Sequence, residues 1–242
     1  MSDKLIFYDL KGRKGVAWAP NPWKGRLALN FKGVDYNTIW LEYPELEPTF
    51  KAAGVSPNPA GSFSDYSSPT IRLPDGTYVM DSVKIAEKLE ADHPKPTFHL
   101  ENGLHLGAAS VTQELLFAIV PAVVDGLLDD WLQEPSKSWF IEDRERRFGM
   151  TMQQMRENLG GEKAWQNAEA ALKKLQSFLT EHKKDEGPFV LGSTPCYADL
   201  CVVALLESLK RVCLEQYEQI IAYDERFKAI HDACKPWTEQ DT

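Results

Sequence analysis

The chain has 242 residues, 43 % hydrophobic and 26 % charged, with a formal net charge of −9. That length accommodates two modest domains, each able to bury a core, and the composition is that of a globular rather than a disordered chain. The acidic balance argues against a nucleic-acid surface, and the apolar runs read as too short for the roughly 20 residues that cross a bilayer.

The first ten residues, MSDKLIFYDL, carry no leader pattern, so a cytoplasmic protein is expected. Lys4 to Leu10 reads as a strand and Gly12 to Pro22 as a loop rich in Gly, Pro and Trp. Trp23, Leu27 and Phe31 then recur at helical spacing before Gly33, and Val34 to Leu41 is a second strand. Strand, helix, strand in that order favours a parallel pair. From Glu42 to Ser67 the chain holds Pro44, Pro48, Pro57 and Pro59, which predicts an irregular wall with a short helix near Leu46 to Ala53.

The run from Tyr66 to Leu89 is the most informative. Thr70 to Leu73 is β-prone, Pro74-Asp75-Gly76 is a turn with Gly free to take a positive φ, and Tyr78-Val79-Met80 is the returning strand. Asp81-Ser82 stands at a helix N-cap, with Ile85 and Leu89 on one face behind it. A helix start attracts an anion and the adjacent Asp attracts an ammonium, so the pair suits the γ-glutamyl end of a peptide. A surface hairpin ending in a capped helix accounts for the same residues.

His93-Pro94-Lys95-Pro96 reads as a linker, and the chain beyond it is helical. Leu106 to Trp131 predicts one long helix with a kink at Pro121, while Ile141, Phe148, Met152, Met155 and Leu159 form the stripe of a second. Trp165, Ala168, Leu172, Leu175 and Leu179 mark a third, and Ala198 to Leu209 reads as a helix buried all round. The division is therefore an α/β unit over 1–94 and an all-helical unit over 95–242. The four cysteines have no C-x-x-C or histidine partners at metal spacing, so they are read as reduced thiols and no metal site is expected.

The hairpin and capped helix resemble the glutathione-binding half of the thioredoxin fold in glutathione transferases, and the two units together match that architecture. The resemblance implies a cis Ser68–Pro69 bond, with the Ser68 backbone pairing with glutathione and Asp81 and Ser82 at its γ-glutamyl end. It also implies a homodimer with glutathione as co-substrate. Gly187 to Asp199 looks like the family's capping segment, but Cys196 stands where Ser or Thr is usual, leaving a poorer cap or Thr194 as a substitute. Lys51 and Arg26 are candidates for the glycyl carboxylate.

The loop from Gly15 to Arg26 resembles the fungal-specific A class and, more distantly, bacterial lignin β-etherases, whose members typically read Ser-Pro-Asn-x-Trp-Lys. There the serine hydroxyl is proposed to hold the glutathione thiolate, which is the nucleophile. This chain has Ala19 at that place, and alanine offers no donor. The side-chain amide of Asn21, or backbone N–H groups where the loop enters the helix, are the candidate substitutes. Trp18, Trp40 and Phe117 are the candidate lining for a planar aromatic or electrophilic second ligand. A glutathione transferase follows from the resemblance, with a non-catalytic ligandin as the alternative.

Overall fold

A computed structural model describes residues 4–241. Its first part runs β1 (Leu5–Leu10), α1 (Pro20–Lys32), β2 (Tyr36–Leu41), α2 (Leu46–Ala52), β3 (Thr70–Arg72), β4 (Tyr78–Met80) and α3 (Ser82–Asp92). The strands form one sheet in the order β2-β1-β3-β4, with β1 and β2 parallel and the other pairings antiparallel. The parallel pair arises as expected, because α1 carries the chain back across the sheet.

Alternation along β1 sends its side chains to two different layers. Phe7 lies against α1, while Tyr8 meets Phe50 of α2 edge-on at 5.4 Å. Helix α1 can press onto the sheet because residue 25 is glycine: a Cβ there would come within 2.9 Å of Pro69 and 3.0 Å of Phe7. That contact seats the proline that leads into β3.

Helix α1 starts three residues before the hydrophobic stripe, since Pro20 and Pro22 fit a first turn where their missing N–H groups are not needed. Its far end is fixed by Lys32, whose buried ammonium donates to Glu90 and to the carbonyls of His93 and Pro96, both at 2.6 Å. That cluster fastens the segment expected as a linker.

The helical part comprises α4 (Leu104–Gly126), a π turn at Leu127–Trp131, α5 (Ser136–Phe148), α6 (Met152–Leu159), α7 (Glu162–Glu181), α8 (Tyr197–Val212), α9 (Leu214–Tyr223), α10 (Glu225–Ala233) and α11 (Lys235–Thr238). Together α4 and the π turn are, by length and composition, apolar enough to cross a membrane, contrary to the expectation from the sequence. Here α4 is a core helix packed along α7 and α8. The single stripe expected from Ile141 to Leu159 is two helices, because Gly149 turns left-handed at φ 66° and ends α5. Helices α9 to α11 are too short, at 10, 9 and 4 residues, to show a clear stripe.

All residues of α8 from Tyr197 to Leu209 are buried, as the apolar run predicted. At its start the Asp199 carboxylate accepts the N–H groups of Cys196 at 2.6 Å and Val190 at 2.7 Å. Burial pushes this carboxyl up to about 6, against the pull of those bonds. Thr194 is exposed and, among the described residues, takes no part in the cap.

Candidate glutathione site

The Ser68–Pro69 peptide is cis, as expected. Ser68 is buried and its hydroxyl donates to the Tyr8 carbonyl at 2.9 Å, which turns the side chain into the sheet. Among the described residues, neither its N–H nor its carbonyl has a protein partner. A buried backbone edge in that state is matched to an extended peptide. Beneath it the Tyr8 hydroxyl lies 3.3 Å from that of Tyr78, and burial pushes Tyr8 up to about 12, so it keeps its proton near neutral pH.

The second half of the site is joined to the first by one hydrogen bond, from the Asp81 N–H to the Pro69 carbonyl at 3.2 Å. Asp81 is the N-cap of α3, and its Oδ1 accepts from Val83 N–H at 2.9 Å and Lys84 N–H at 3.3 Å. Its backbone sits at φ 92°, a region that L-residues rarely occupy, and such strain persists only where surrounding contacts over-determine it. With Val83 and Lys84 occupied, the Ser82 N–H and hydroxyl are, among the described residues, the donors left at this positive helix end, beside an Oδ2 of Asp81 that has no partner among them. The anion and cation partners read from the sequence are thus adjacent.

One contributor escaped the sequence reading. Tyr197, at the head of α8, donates its hydroxyl to the Ser82 carbonyl at 2.8 Å and so fixes the start of α3 from the helical part. No local pattern signals it, because the two residues are 115 positions apart.

The loop before α1 is built differently. Ala19 is the N-cap, buried, with no side-chain cap. Pro20 and Pro22 have no N–H, and the Trp23 N–H goes to the Ala19 carbonyl at 3.2 Å. Among the described residues, the first turn therefore retains one free backbone donor, the Asn21 N–H. The exposed Asn21 side chain accepts from Lys24 Nζ at 3.0 Å through its Oδ1.

Arg26 does not meet a glycyl carboxylate. It is fully buried, donates to Asp9 Oδ2 at 2.8 Å, and is surrounded by the rings of Phe7, Tyr36 and Trp40 at 5.0 to 5.5 Å. Position 26 lies on the face of α1 that covers the sheet, so the guanidinium neutralises a buried carboxylate. Lys51 remains exposed on α2, paired with Glu47 and held above its usual range by that bond; its ammonium lies 5.8 Å from the Tyr66 ring.

The three aromatic candidates do not come together. Trp40 packs on Arg26 on the α1 side of the sheet. Trp18 is a core anchor whose indole N–H donates to the Leu10 carbonyl at 3.1 Å. Phe117 is exposed, 6.4 Å from Phe63. Phe63 lines a cleft of about 600 Å³ between the start of α2, residues 62–66 and α5. Its aromatic walls are Tyr43, Phe63, Tyr66 and Trp139; Tyr43 and Trp139 stack within 7° at 5.1 Å, and the Arg147 guanidinium covers Phe63 at 4.3 Å.

A thioredoxin-like sheet carrying a cis-proline edge and a capped helix, joined to an all-helical part, defines a class of glutathione-binding architecture. The profile for the glutathione S-transferase N-terminal domain matches residues 18–92, and that for the C-terminal domain matches residues 106–237. The chain belongs to the glutathione S-transferase family. A glutathione S-transferase-like protein, ustS, of Aspergillus flavus is 28 % identical over 249 residues, covering 97 % of this chain and 89 % of the relative. A glutathione S-transferase of Ceriporiopsis subvermispora, solved in complex with glutathione, superposes with a TM-score of 0.85 at 26 % identity over 97 % and 98 % of the two chains. Glutathione transferase GSTFuA3 of Phanerochaete chrysosporium also gives 0.85 at 26 % identity, over 98 % of both.

Proposed function

We infer that this protein binds glutathione along the Ser68 edge and uses its thiolate against an electrophilic aromatic compound. The observation that carries the reading is the bond between Asp81 N–H and the Pro69 carbonyl. It locks the open backbone of Ser68 beside the free donors of Ser82, a spacing suited to the cysteinyl and γ-glutamyl parts of one tripeptide. Asp81 Oδ2 takes the ammonium, Ser82 the α-carboxylate, and Lys51 the glycyl carboxylate. The unit performing this binding is the 1–94 domain, and the 95–242 domain contributes to the second-ligand wall through Trp139 and Arg147.

The sulfur lies at the start of α1, where the Asn21 N–H and the positive helix end hold it in place of a serine hydroxyl. One missing charge-assisted bond is worth ~1.5–3 kcal/mol, so turnover is reduced roughly ten- to a hundred-fold rather than abolished. The second ligand lies against Tyr43, Phe63 and Trp139. The absent hydroxyl at Ala19 also favours a second reading, a ligandin that holds glutathione and aromatic compounds without turnover. Glutathione titration by calorimetry, followed by assays with an aryl halide and an aryl ether, separates them. Binding with turnover supports the transferase, binding without it the carrier, and absence of binding rejects both.

A further inference from the structure

The chain from Trp237 in α11 to Asp241 reaches back to the loop in front of α1. The Asp241 carbonyl accepts the Ala17 N–H at 3.3 Å. Arg211, in the last turn of α8, donates from one guanidinium nitrogen to the Ala17 carbonyl at 3.2 Å and to Asp241 Oδ2 at 2.6 Å. Both backbone groups of Ala17 are therefore held from outside the loop, two residues before Ala19. The segment is also tied to α1: Asn30 donates to the carbonyls of Trp237 at 2.7 Å and Gln240 at 3.0 Å, and the Trp237 ring meets Phe31 at 4.9 Å.

Arg211 is itself fixed. Its Nε donates to Glu207 Oε1 at 2.7 Å, and the other oxygen of Glu207 lies 2.8 Å from His231 Nε2. Its guanidinium also lies 4.8 Å above the ring of Trp23, within the first turn of α1. This support adds to the Trp18 anchor, because Ala17 has only a buried methyl group with no polar atom and Ala19 provides no side-chain cap.

We propose that residues 237–241 form a strap, fastened by Arg211, that positions the loop carrying Ala19 and the Asn21 N–H against the glutathione sulfur. Arg211 and Asp241 are positioning residues, since they act through Ala17. The proposal rests on the reading that the sulfur lies at this helix start. The strap does not touch Ser68, Asp81 or Ser82, so its loss should damage the chemical step more than glutathione binding. A misplacement of about 1 Å at a reacting atom can cost on the order of a hundred-fold in rate.

The test uses D241A and R211K in the full chain, with R211A as the severe variant. Expected are a fall in kcat of roughly ten-fold, a glutathione KM within about two-fold of the parent, and a raised pKa of the bound thiol. R211K should recover part of what R211A loses. In the ligand-free protein, amide hydrogen exchange at Ala17 and Trp18 should quicken in D241A, a readout that needs no glutathione. Unchanged exchange overturns the strap. Faster exchange with parent-like kcat and thiol pKa overturns the positioning role, as does a loss of kcat and KM in step with a lowered Tm. If the parent neither binds glutathione nor turns over, the functional reading fails, the positioning role fails with it, and exchange alone decides whether the strap exists.

Discussion

Two helix starts in the same sheet-bearing half have opposite designs. At α3, Asp81 caps two N–H groups, its backbone is held at φ 92°, and Tyr197 clamps the next carbonyl. At α1, the cap is an alanine and two of the first three helical residues are prolines, so a single backbone donor remains. Both ends carry the same partial positive charge. The difference supports the proposed reading, in which α3 takes the fixed zwitterion of glutathione, whereas α1 holds the sulfur by field and one amide, with its geometry supplied from elsewhere.

The comparison breaks most readily at Asp81. D81N keeps an oxygen to cap Val83 and Lys84 but removes the charge, so glutathione should bind ~1.5–3 kcal/mol more weakly with little change in Tm. Calorimetry and a melting curve on the same variant check both halves, and unchanged affinity removes Asp81 from the site.

A19S makes the α1 start more like its counterpart. A serine oxygen there can accept the Asn21 N–H while its hydroxyl hydrogen points to the sulfur. Turnover should rise roughly ten-fold or more, and the pKa of bound glutathione should fall, followed by thiolate absorbance during a pH titration. If neither moves, the sulfur is not at this helix start.

Y197F removes the clamp on the Ser82 carbonyl. The expected loss is ~0.5–1.5 kcal/mol in stability, with glutathione affinity weakened by no more than that. Denaturant unfolding measures the first and calorimetry the second; a larger loss of affinity than of stability would show that the hydroxyl also acts on the ligand.

The smallest effect is expected at Asn21. N21A deletes a side chain that accepts from Lys24 but retains the backbone N–H, so kcat should stay within about two-fold of the parent. A ten-fold fall would instead make the side-chain amide the sulfur donor.

Contiguous stretches were legible without coordinates. The hairpin, Asp81-Ser82 and the buried run of α8 each depend on spacing within a few residues, where turn chemistry, capping and periodicity act. The two amphipathic pieces 141–148 and 152–159 read as one because periodicity does not record a change of axis, which Gly149 introduces. A candidate site from scattered residues was less legible. Trp18 and Trp40 were grouped by residue type, yet they lie on opposite sides of the sheet.

What the sequence determined by itself was therefore local: which segments form strands and helices, where α3 is capped, and that position 19 has no donor to offer. Tertiary structure decided which groups meet. Arg26 is a plausible surface cation in one dimension, and only the packing of α1 over β1 and β2 brings it to Asp9 and takes it from any ligand. Tyr43, Phe63 and Trp139 become one wall, and Arg211 reaches Ala17 across 194 positions, for the same reason. A charge or ring takes its role from the neighbours that folding supplies, and burial multiplies the energy of each such pairing beyond anything local propensity encodes.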